Sequence, residues 1–213
     1  MDDNYIKIRS KHSNESFLRV WPGHFVTNHS HVNHYVDMTA LKARMSEAQN
    51  AAKTLASYYT MNTIVDTIIC MDGTEVIGAF LAEELENSGI RNVNAHNTIY
   101  VVSPETDSSG RIVFRDNNKF MVENRNVMVL LATATTGITL ERSLTCIKYY
   151  GGKIAGISAL YSVPNKIFGY PIVSLFSQAD LPQYKTYAFD KCPLCKQGIK
   201  IDAMVNGYGM SKI

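Results

Sequence analysis

The feature that most limits how this chain can fold is a set of unbroken apolar runs separated by segments of helical periodicity. Val127 to Ala132 reads VMVLLA and Lys153 to Tyr161 reads KIAGISALY. Ile64 to Cys70 (IVDTIIC), Asn97 to Val102 (NTIYVV) and Ile172 to Phe176 (IVSLF) are further short runs rich in β-branched residues. A strand wetted on one face alternates polar with apolar residues, whereas a strand apolar at successive positions is covered on both faces. Between these runs, Leu41, Met45, Ala48, Ala52, Leu55 and Tyr59 recur at spacings of four and three, which predicts one amphipathic helix over 40–59. Ile77, Phe80, Leu81 and Leu85 predict a second helix, and Leu140, Leu144 and Ile147 a third. The expectation is an α/β fold with a central, mostly parallel sheet flanked by helices.

With 213 residues and 46% hydrophobic content, the chain can bury one sizeable core, so a single domain over 1–213 is expected. It divides into an N-terminal segment 1–38, an α/β core 39–180 and a tail 181–213. Lys and Arg number 21 against 19 Asp and Glu, a net charge of +2, which is too balanced to recruit nucleic acid or an anionic membrane. The opening MDDNYIKIRSKHSNESF lacks an apolar signal core, and no run reaches the roughly 20 apolar residues of a membrane span. A cytoplasmic protein is expected. Cysteines at 70, 146, 192 and 195 are too few and too unevenly spaced for a disulfide framework, in keeping with a reducing compartment.

Ligands of a parallel sheet bind beyond the carboxyl ends of its strands. Three segments emerge there: Met71 to Glu75, the long connection Ser103 to Asn126, and Thr133 to Thr139. The long connection reads as a lid or binding element, with a surface insertion or an edge hairpin built from Arg111 to Phe114 as alternatives. Thr133 to Thr139, TATTGIT, joins a buried strand to a helix. Gly137 permits a positive φ, successive N–H groups then turn inward, the helix dipole adds positive potential, and Thr135, Thr136 and Thr139 offer hydroxyl donors. That is phosphate-binding chemistry, although Thr136 or Thr139 could instead simply cap the helix. The chain carries neither a lysine-bearing triphosphate loop nor a G-x-G-x-x-G fingerprint, so the expected ligand is a monophosphate.

A hydrophobic strand running into x-x-Thr-Thr-Gly-x-Thr resembles the ribose-phosphate loop of the type I phosphoribosyltransferases, and the orotate phosphoribosyltransferases among them look most similar. Cys70-Met71-Asp72-Gly73-Thr74 is similar in position to that family's diphosphate loop, and Ser103 to Asn126 to its catalytic hood. Gly23-His24-Phe25 leading to Asn33-His34-Tyr35-Val36-Asp37 is similar to its base-site segment, and Ile172 to Phe176 to its final strand. The resemblance implies a small hood built from the N- and C-terminal segments. It implies phosphate binding by Thr133, Thr135, Thr136, Gly137, Ile138 and Thr139, diphosphate binding by Met71, Asp72, Gly73 and Thr74, and a base pocket containing Asn28, His29 and Tyr35. The implied ligand is phosphoribosyl diphosphate or a nucleoside monophosphate, with Mg2+ in an active enzyme, a homodimeric assembly and a place in pyrimidine biosynthesis. In the implied reaction a nitrogenous base displaces diphosphate from the anomeric carbon through an oxocarbenium-like transition state.

The chain departs from that pattern where the chemistry would happen. The family's two adjacent carboxylates at the strand end are Leu131 and Ala132 here, which can neither accept a hydrogen bond through a side chain nor carry charge. The hood sequence Ser103-Pro104-Glu105-Thr106-Asp107-Ser108-Ser109-Gly110 has no cation before Arg111 and Arg115. The acidic Asp72 lies near the place of a lysine, and the family's Asp-Arg pair is Ser162-Val163. Arg111, Arg115 and Glu75 are the candidate catalytic residues. Three expectations follow: a phosphoribosyltransferase with an unusual ribose grip, a protein that senses a nucleotide or phosphoribosyl diphosphate without turning it over, or a purely structural dimerisation module with an empty cradle, against which the Thr-Thr-Gly turn argues.

His24, His29, His31 and His34 cluster in HFVTNHSHVNH, where metal binding, lining of a base pocket and loop hydrogen bonding are all open. Cys192-Pro193-Leu194-Cys195 supplies two zinc ligands, so zinc would need Cys70, Cys146, a histidine or another subunit. A redox pair is a further alternative, and two thiols in a tail turn is the plain reading. Tails of this Cys-Pro-Leu-Cys kind occur in some sequences that resemble orotate phosphoribosyltransferases. Trp21-Pro22-Gly23 is expected as a turn between N-terminal strands, and Met38, Met45 and Met61 as core fillers.

Overall fold

The structure is a computed structural model that describes residues 5–13, 15–59, 62–87, 93–94, 98–107 and 111–213. In chain order the elements are β1 (Ile6–Arg9), β2 (Phe17–Val26), β3 (His31–Asp37), α1 (Thr39–Ala43), α2 (Met45–Ala56), β4 (Thr67–Cys70), α3 (Glu75–Asn87), β5 (Tyr100–Val102), β6 (Glu105–Thr106) and β7 (Ile112–Val113). There follow β8 (Asn126–Ala134), α4 (Ile138–Tyr149), β9 (Lys153–Ser162), β10 (Lys166–Ile167), β11 (Tyr170–Ser177), β12 (Thr186–Tyr187), α5 (Pro193–Lys196), β13 (Ala203–Asn206) and β14 (Gly209–Lys212).

The central sheet has the order β10-β11-β9-β8-β4-β5. Its four inner pairings are parallel, and only the short β10 runs antiparallel. Successive side chains of a strand point to opposite faces, and β8 shows why its sequence could not alternate. Met128, Leu130 and Ala132 enter one core with Leu41, Ala48, Leu55, Ile77 and Leu81 of α1 to α3. Val127, Val129 and Leu131 enter a second core with Leu140, Leu144 and Ile147 of α4. Helices thus cover both faces, as the apolar runs require.

Boundaries differ from the sequence expectation in physically readable ways. The single helix over 40–59 is two, because Arg44 takes an extended conformation (φ −85°, ψ 125°) between α1 and α2. The break lets α1 bury Leu41 and Lys42 on its own axis. It also turns Met45 into solvent, at 69% exposure, so Met45 is no core filler. Met38 is buried, and Met61 lies outside the described residues. β4 begins at Thr67 rather than Ile64, which is half exposed before the sheet starts. β5 begins at Tyr100, and Asn97 lies outside the described residues.

The N- and C-terminal segments share a second sheet, ordered β12-β3-β2-β13-β14, in which β1 pairs with the Phe17–Val20 end of β2 and β13 with its Phe25–Val26 end. Trp21-Pro22-Gly23 is not a turn but the middle of β2, where the register with β3 shifts between Pro22 and Phe25. A bulge tolerates a proline that has no N–H to give. Gly23 is needed for a close approach: a Cβ there would lie 2.6 Å from Asp202 Oδ2 of the tail. Among the described residues no helix is long and apolar enough to cross a membrane.

Candidate functional site

The carboxyl ends of β4, β8 and β9 open into one cavity of about 590 Å³, and each of the three segments expected at that edge, Met71 to Glu75, Ser103 to Asn126 and Thr133 to Thr139, contributes residues to its lining, whereas Ile172 to Phe176 does not. β8 ends at Ala134, whose carbonyl accepts the Val163 N–H at 2.9 Å, and the chain bends through Thr135 and Thr136 to Gly137. Gly137 is the N-cap of α4 with φ +79°, a left-handed conformation that costs a residue with a Cβ dearly. No side chain caps this helix. Among the described residues the hydroxyls of Thr135, Thr136 and Thr139 take no partner, so the helix-capping alternative fails and these donors face the cavity. The loop therefore combines free helix N–H groups, the positive end of a helix dipole and hydroxyl donors at one place. Thr133 and Leu140 line the cavity beside it, whereas Ile138 does not. Arg142, one turn into α4, is the only lysine or arginine among the described lining residues. Sequence reasoning passed over it because helical position, not a motif, carries it there.

The Met71 to Thr74 turn is held from beneath by Thr74, whose fully buried hydroxyl donates to the Met71 carbonyl at 2.8 Å and to the Leu130 carbonyl at 3.2 Å. Asp72 (φ +58°) and Gly73 (φ +76°) are consecutive left-handed residues. Met71 and Asp72 line the cavity; Gly73 and Thr74 lie behind them. Burial pushes the Asp72 carboxyl above its usual range, opposed by the nearby Lys42 charge and a hydrogen bond from the Ala132 backbone. Lys42 of α1 donates to the Asp72 carbonyl at 2.8 Å and to the Gly207 carbonyl. The turn thus has a cation at its back although its own sequence is acidic. Burial lowers the Lys42 pKa, with Asp72 the largest opposing influence. Lys42 was hidden in the sequence as a polar residue of an amphipathic helix.

Another wall is formed by Asn28, His29, His34 and Tyr35 from the β2–β3 hairpin, facing Tyr161 and Tyr184. His34 Nδ1 lies 2.9 Å from Asn33 Oδ1, and burial lowers its pKa, which favours the neutral ring. Tyr161 is fully buried at the end of β9, packs edge-on against Tyr184, and its hydroxyl has no hydrogen-bond partner among the described residues. A buried polar atom without a partner is costly, and one lining a cavity is ready for a ligand. The tail closes the remaining side with Val205, Asn206, Gly207 and Tyr208.

The proposed catalytic candidates are not brought to the cavity. The connection after Val102 carries an antiparallel hairpin, β6 with β7, whose first part reaches the cavity; residues 108–110 lie outside the described residues. Arg111 is ion-paired with Asp107 at 3.0 Å and Arg115 with Glu105 at 2.6 Å. Both arginines are mostly exposed, and neither lines the cavity; Ser103, Pro104, Thr106 and Asp107 do. Glu75 accepts a hydrogen bond from Ser103 Oγ at 2.7 Å and is likewise absent from the lining. Of the two apolar replacements, Leu131 lines the cavity, whereas Ala132 belongs to the opposite core. Cys192 and Cys195 meet His24 and His31.

No protein-family profile matches the chain. The orotate phosphoribosyltransferase of Caldanaerobacter subterraneus subsp. tengcongensis is 31% identical over 81 residues, which span 37% of this chain and 40% of that relative. Among solved structures, the UMP synthase of Leishmania donovani superposes with a TM-score of 0.55 at 15% identity, covering 76% of this chain and 34% of that one. A phosphoribosyltransferase from Corynebacterium diphtheriae gives 0.53 at 15% identity, covering 76% and 90%. The Mycobacterium tuberculosis orotate phosphoribosyltransferase in complex with Fe(III) dicitrate gives 0.52 at 17% identity, covering 77% and 92%. The sheet flanked by helices is, on these superpositions, that of a type I phosphoribosyltransferase fold.

Proposed function

We propose that this chain binds a 5-phosphoribosyl compound, phosphoribosyl diphosphate or a nucleotide, and acts as a phosphoribosyltransferase of the group that resembles orotate phosphoribosyltransferases. The observation that carries the reading is Gly137, left-handed and uncapped, at the head of a cavity that also receives the Met71–Asp72 turn and an aromatic wall. The 5-phosphate belongs on the N–H groups after Gly137 with Thr135, Thr136, Thr139 and Arg142 around it. The diphosphate belongs at Met71 and Asp72, backed by Lys42, and the base between Tyr35 and Tyr161. The Tyr161 hydroxyl can donate to a ring carbonyl or accept from a ring N–H. With Val163 where the resemblance implies an arginine, and no lysine or arginine among the described residues of that wall, the pocket suits a neutral base better than a carboxylated one.

Magnesium is held in such sites by one or two carboxylates together with substrate phosphates, and it keeps several waters. Asp72 and Asp107 line the cavity, and since both Asp107 oxygens already accept from Arg111, Asp72 would be the carboxylate offered to an ion that arrives with the diphosphate. Its chemistry would be to neutralise the departing diphosphate. The protein's own groups do the remainder: the loop N–H groups fix the 5-phosphate, and the aromatic wall orients the base.

A second reading has a specific observation behind it. Leu131 presents an apolar side chain where a ribose-holding acid is implied by the resemblance, which favours a sensor that binds without turnover. Diphosphate release from phosphoribosyl diphosphate, measured with magnesium across a panel of pyrimidine and purine bases, separates the two. The transferase reading expects base-dependent release. Saturable binding with no release for any base would establish the sensor instead.

A further inference from the structure

The N-terminal hairpin and the C-terminal tail meet at four side chains that the cavity does not use. His24 Nε2 lies 2.9 Å from His31 Nδ1. Cys192 Sγ lies 3.5 Å from His24 Nε2, and Cys195 Sγ lies 3.6 Å from His24 Nε2 and 3.2 Å from His31 Nδ1. All four ligand atoms fall within 4.8 Å of one another, and three of the four residues are buried. A tetrahedron built on zinc–sulfur bonds of about 2.3 Å and zinc–nitrogen bonds of about 2.0–2.1 Å has edges of about 3.3–3.8 Å. The four nitrogen–nitrogen and nitrogen–sulfur separations of 2.9–3.6 Å are already close to that size, and no separation in the cluster exceeds 4.8 Å.

We propose that His24, His31, Cys192 and Cys195 form a structural zinc site that fastens the tail to the N-terminal sheet. Tetrahedral coordination by two sulfurs and two nitrogens is a set that zinc favours, and it leaves no open position for a reacting molecule. Binding removes one proton from each thiol, so the two thiolates balance the double charge of the ion and the buried centre is neutral. The second nitrogen of His24 is already engaged: Nδ1 lies 2.9 Å from the Ile199 carbonyl, which fixes the proton there and leaves Nε2 to coordinate. The backbone is prepared in the same way. Cys192 is the N-cap of the short α5 with Pro193 following, which sets both thiols on one side of a tight turn. His24 sits in the β2 bulge, where its N–H donates to Asp202 Oδ2 at 2.7 Å and its carbonyl accepts from the Asp202 N–H at 2.8 Å. His31 begins β3 opposite Tyr187 of β12.

The placement gives the site a structural task. The turn between the two histidines carries Asn28, His29 and Ser30 of the cavity wall, and the chain leaving Cys195 reaches Val205 to Tyr208 on the opposite wall. One ion thus ties together two walls contributed by the chain's two ends. The sequence hid this because the histidine pair and the Cys-x-x-Cys pair are separated by about 160 residues and neither suffices alone.

The test is metal content of the reduced full-length chain after equilibration with zinc and desalting, together with the absorption of its cobalt-substituted form. One zinc per chain is expected, with the intense visible bands of a tetrahedral cobalt–thiolate centre. Cys192→Ser and His31→Ala should lose the metal, Cys146→Ser should keep it, and stripping the wild type should lower its melting temperature. No stoichiometric uptake by the folded wild type, a Cys192→Ser variant that still holds a full equivalent, or an octahedral cobalt spectrum would overturn the assignment. None of these readouts depends on what the cavity binds.

Discussion

Replacing Gly137 with alanine tests the phosphate loop at its most constrained point. A side chain held at φ +79° costs about 1–2 kcal/mol relative to its relaxed backbone. The added Cβ would lie 2.8 Å from Ile167 Cδ1, the end of a side chain that can turn aside, so steric crowding adds little. For a domain of this size about 1 kcal/mol moves the melting temperature by about 2–4 °C, which gives an expected fall of about 2–8 °C. If the loop keeps its geometry, only stability falls. If it relaxes to a negative φ, the N–H groups turn away from the phosphate, and each hydrogen bond lost to a charged group is worth about 1.5–3 kcal/mol. At about 1.4 kcal/mol per tenfold, affinity for phosphoribosyl diphosphate should then fall by about 10- to 100-fold. The bulkier Gly137→Val makes relaxation unavoidable and should show the full loss. Calorimetric titration beside a thermal melt reads both quantities. A lowered melting temperature in both variants with affinity unchanged in Gly137→Val would refute the claim that phosphate sits on this loop.

Arg142→Ala, at an exposed position of α4, should weaken phosphoribosyl diphosphate binding by about tenfold or more, as a charged hydrogen bond is lost; equal affinity at low and high salt in wild type and variant would count against it. Asp72 binds its proton more tightly folded than unfolded, so its contribution to stability is complete below the unfolded carboxylate pKa and is lost as pH rises through the folded value. Asp72→Asn, which suits a left-handed backbone, should therefore gain stability relative to wild type as pH rises from 4 to 7, and a pH-independent difference between urea midpoints would contradict this. Ala132→Asp places a carboxylate in the core shared with α1 to α3 and should destabilise far more than Leu131→Asp, which faces the cavity. On the transferase reading Leu131→Asp also raises the rate of diphosphate release, and a folded variant with no gain supports a sensor.

Much of the fold was legible because burial on both faces leaves a direct mark: β8 and β9 read as unbroken apolar runs, and both were found within two residues of their expected ends. The Thr133 to Thr139 turn was legible as a strand-to-helix turn with a left-handed glycine for a local reason, since the glycine and its threonines are contiguous. What local pattern could not show was where one element stops in favour of a tertiary contact. The extended Arg44 between α1 and α2 follows from burying Lys42 against the Asp72 turn, and nothing in the spacing of Leu41, Met45 and Ala48 reports that. Trp21-Pro22-Gly23 has the composition of a turn, yet the approach of Asp202 makes it a bulge inside a strand. Site residues followed the same division. Contiguous Thr135, Thr136 and Gly137 line the cavity as their sequence suggests, but Arg142, Tyr161 and the Val205 to Tyr208 turn reach it only by converging from distant elements. Arg111 and Arg115 were attractive as the nearest cations in sequence, and their own hairpin acids, Asp107 and Glu105, engage them.

The most direct test of the central claim is a thermal and calorimetric titration of the full chain with phosphoribosyl diphosphate and magnesium. A ligand that binds only the folded state at 100 times its dissociation constant adds about 2.7 kcal/mol of stability. The account therefore predicts saturable one-to-one binding and a rise of about 5–10 °C in melting temperature, competed by nucleoside monophosphates and reduced in Arg142→Ala. No heat and no shift at millimolar phosphoribosyl diphosphate, with the protein folded, would contradict it.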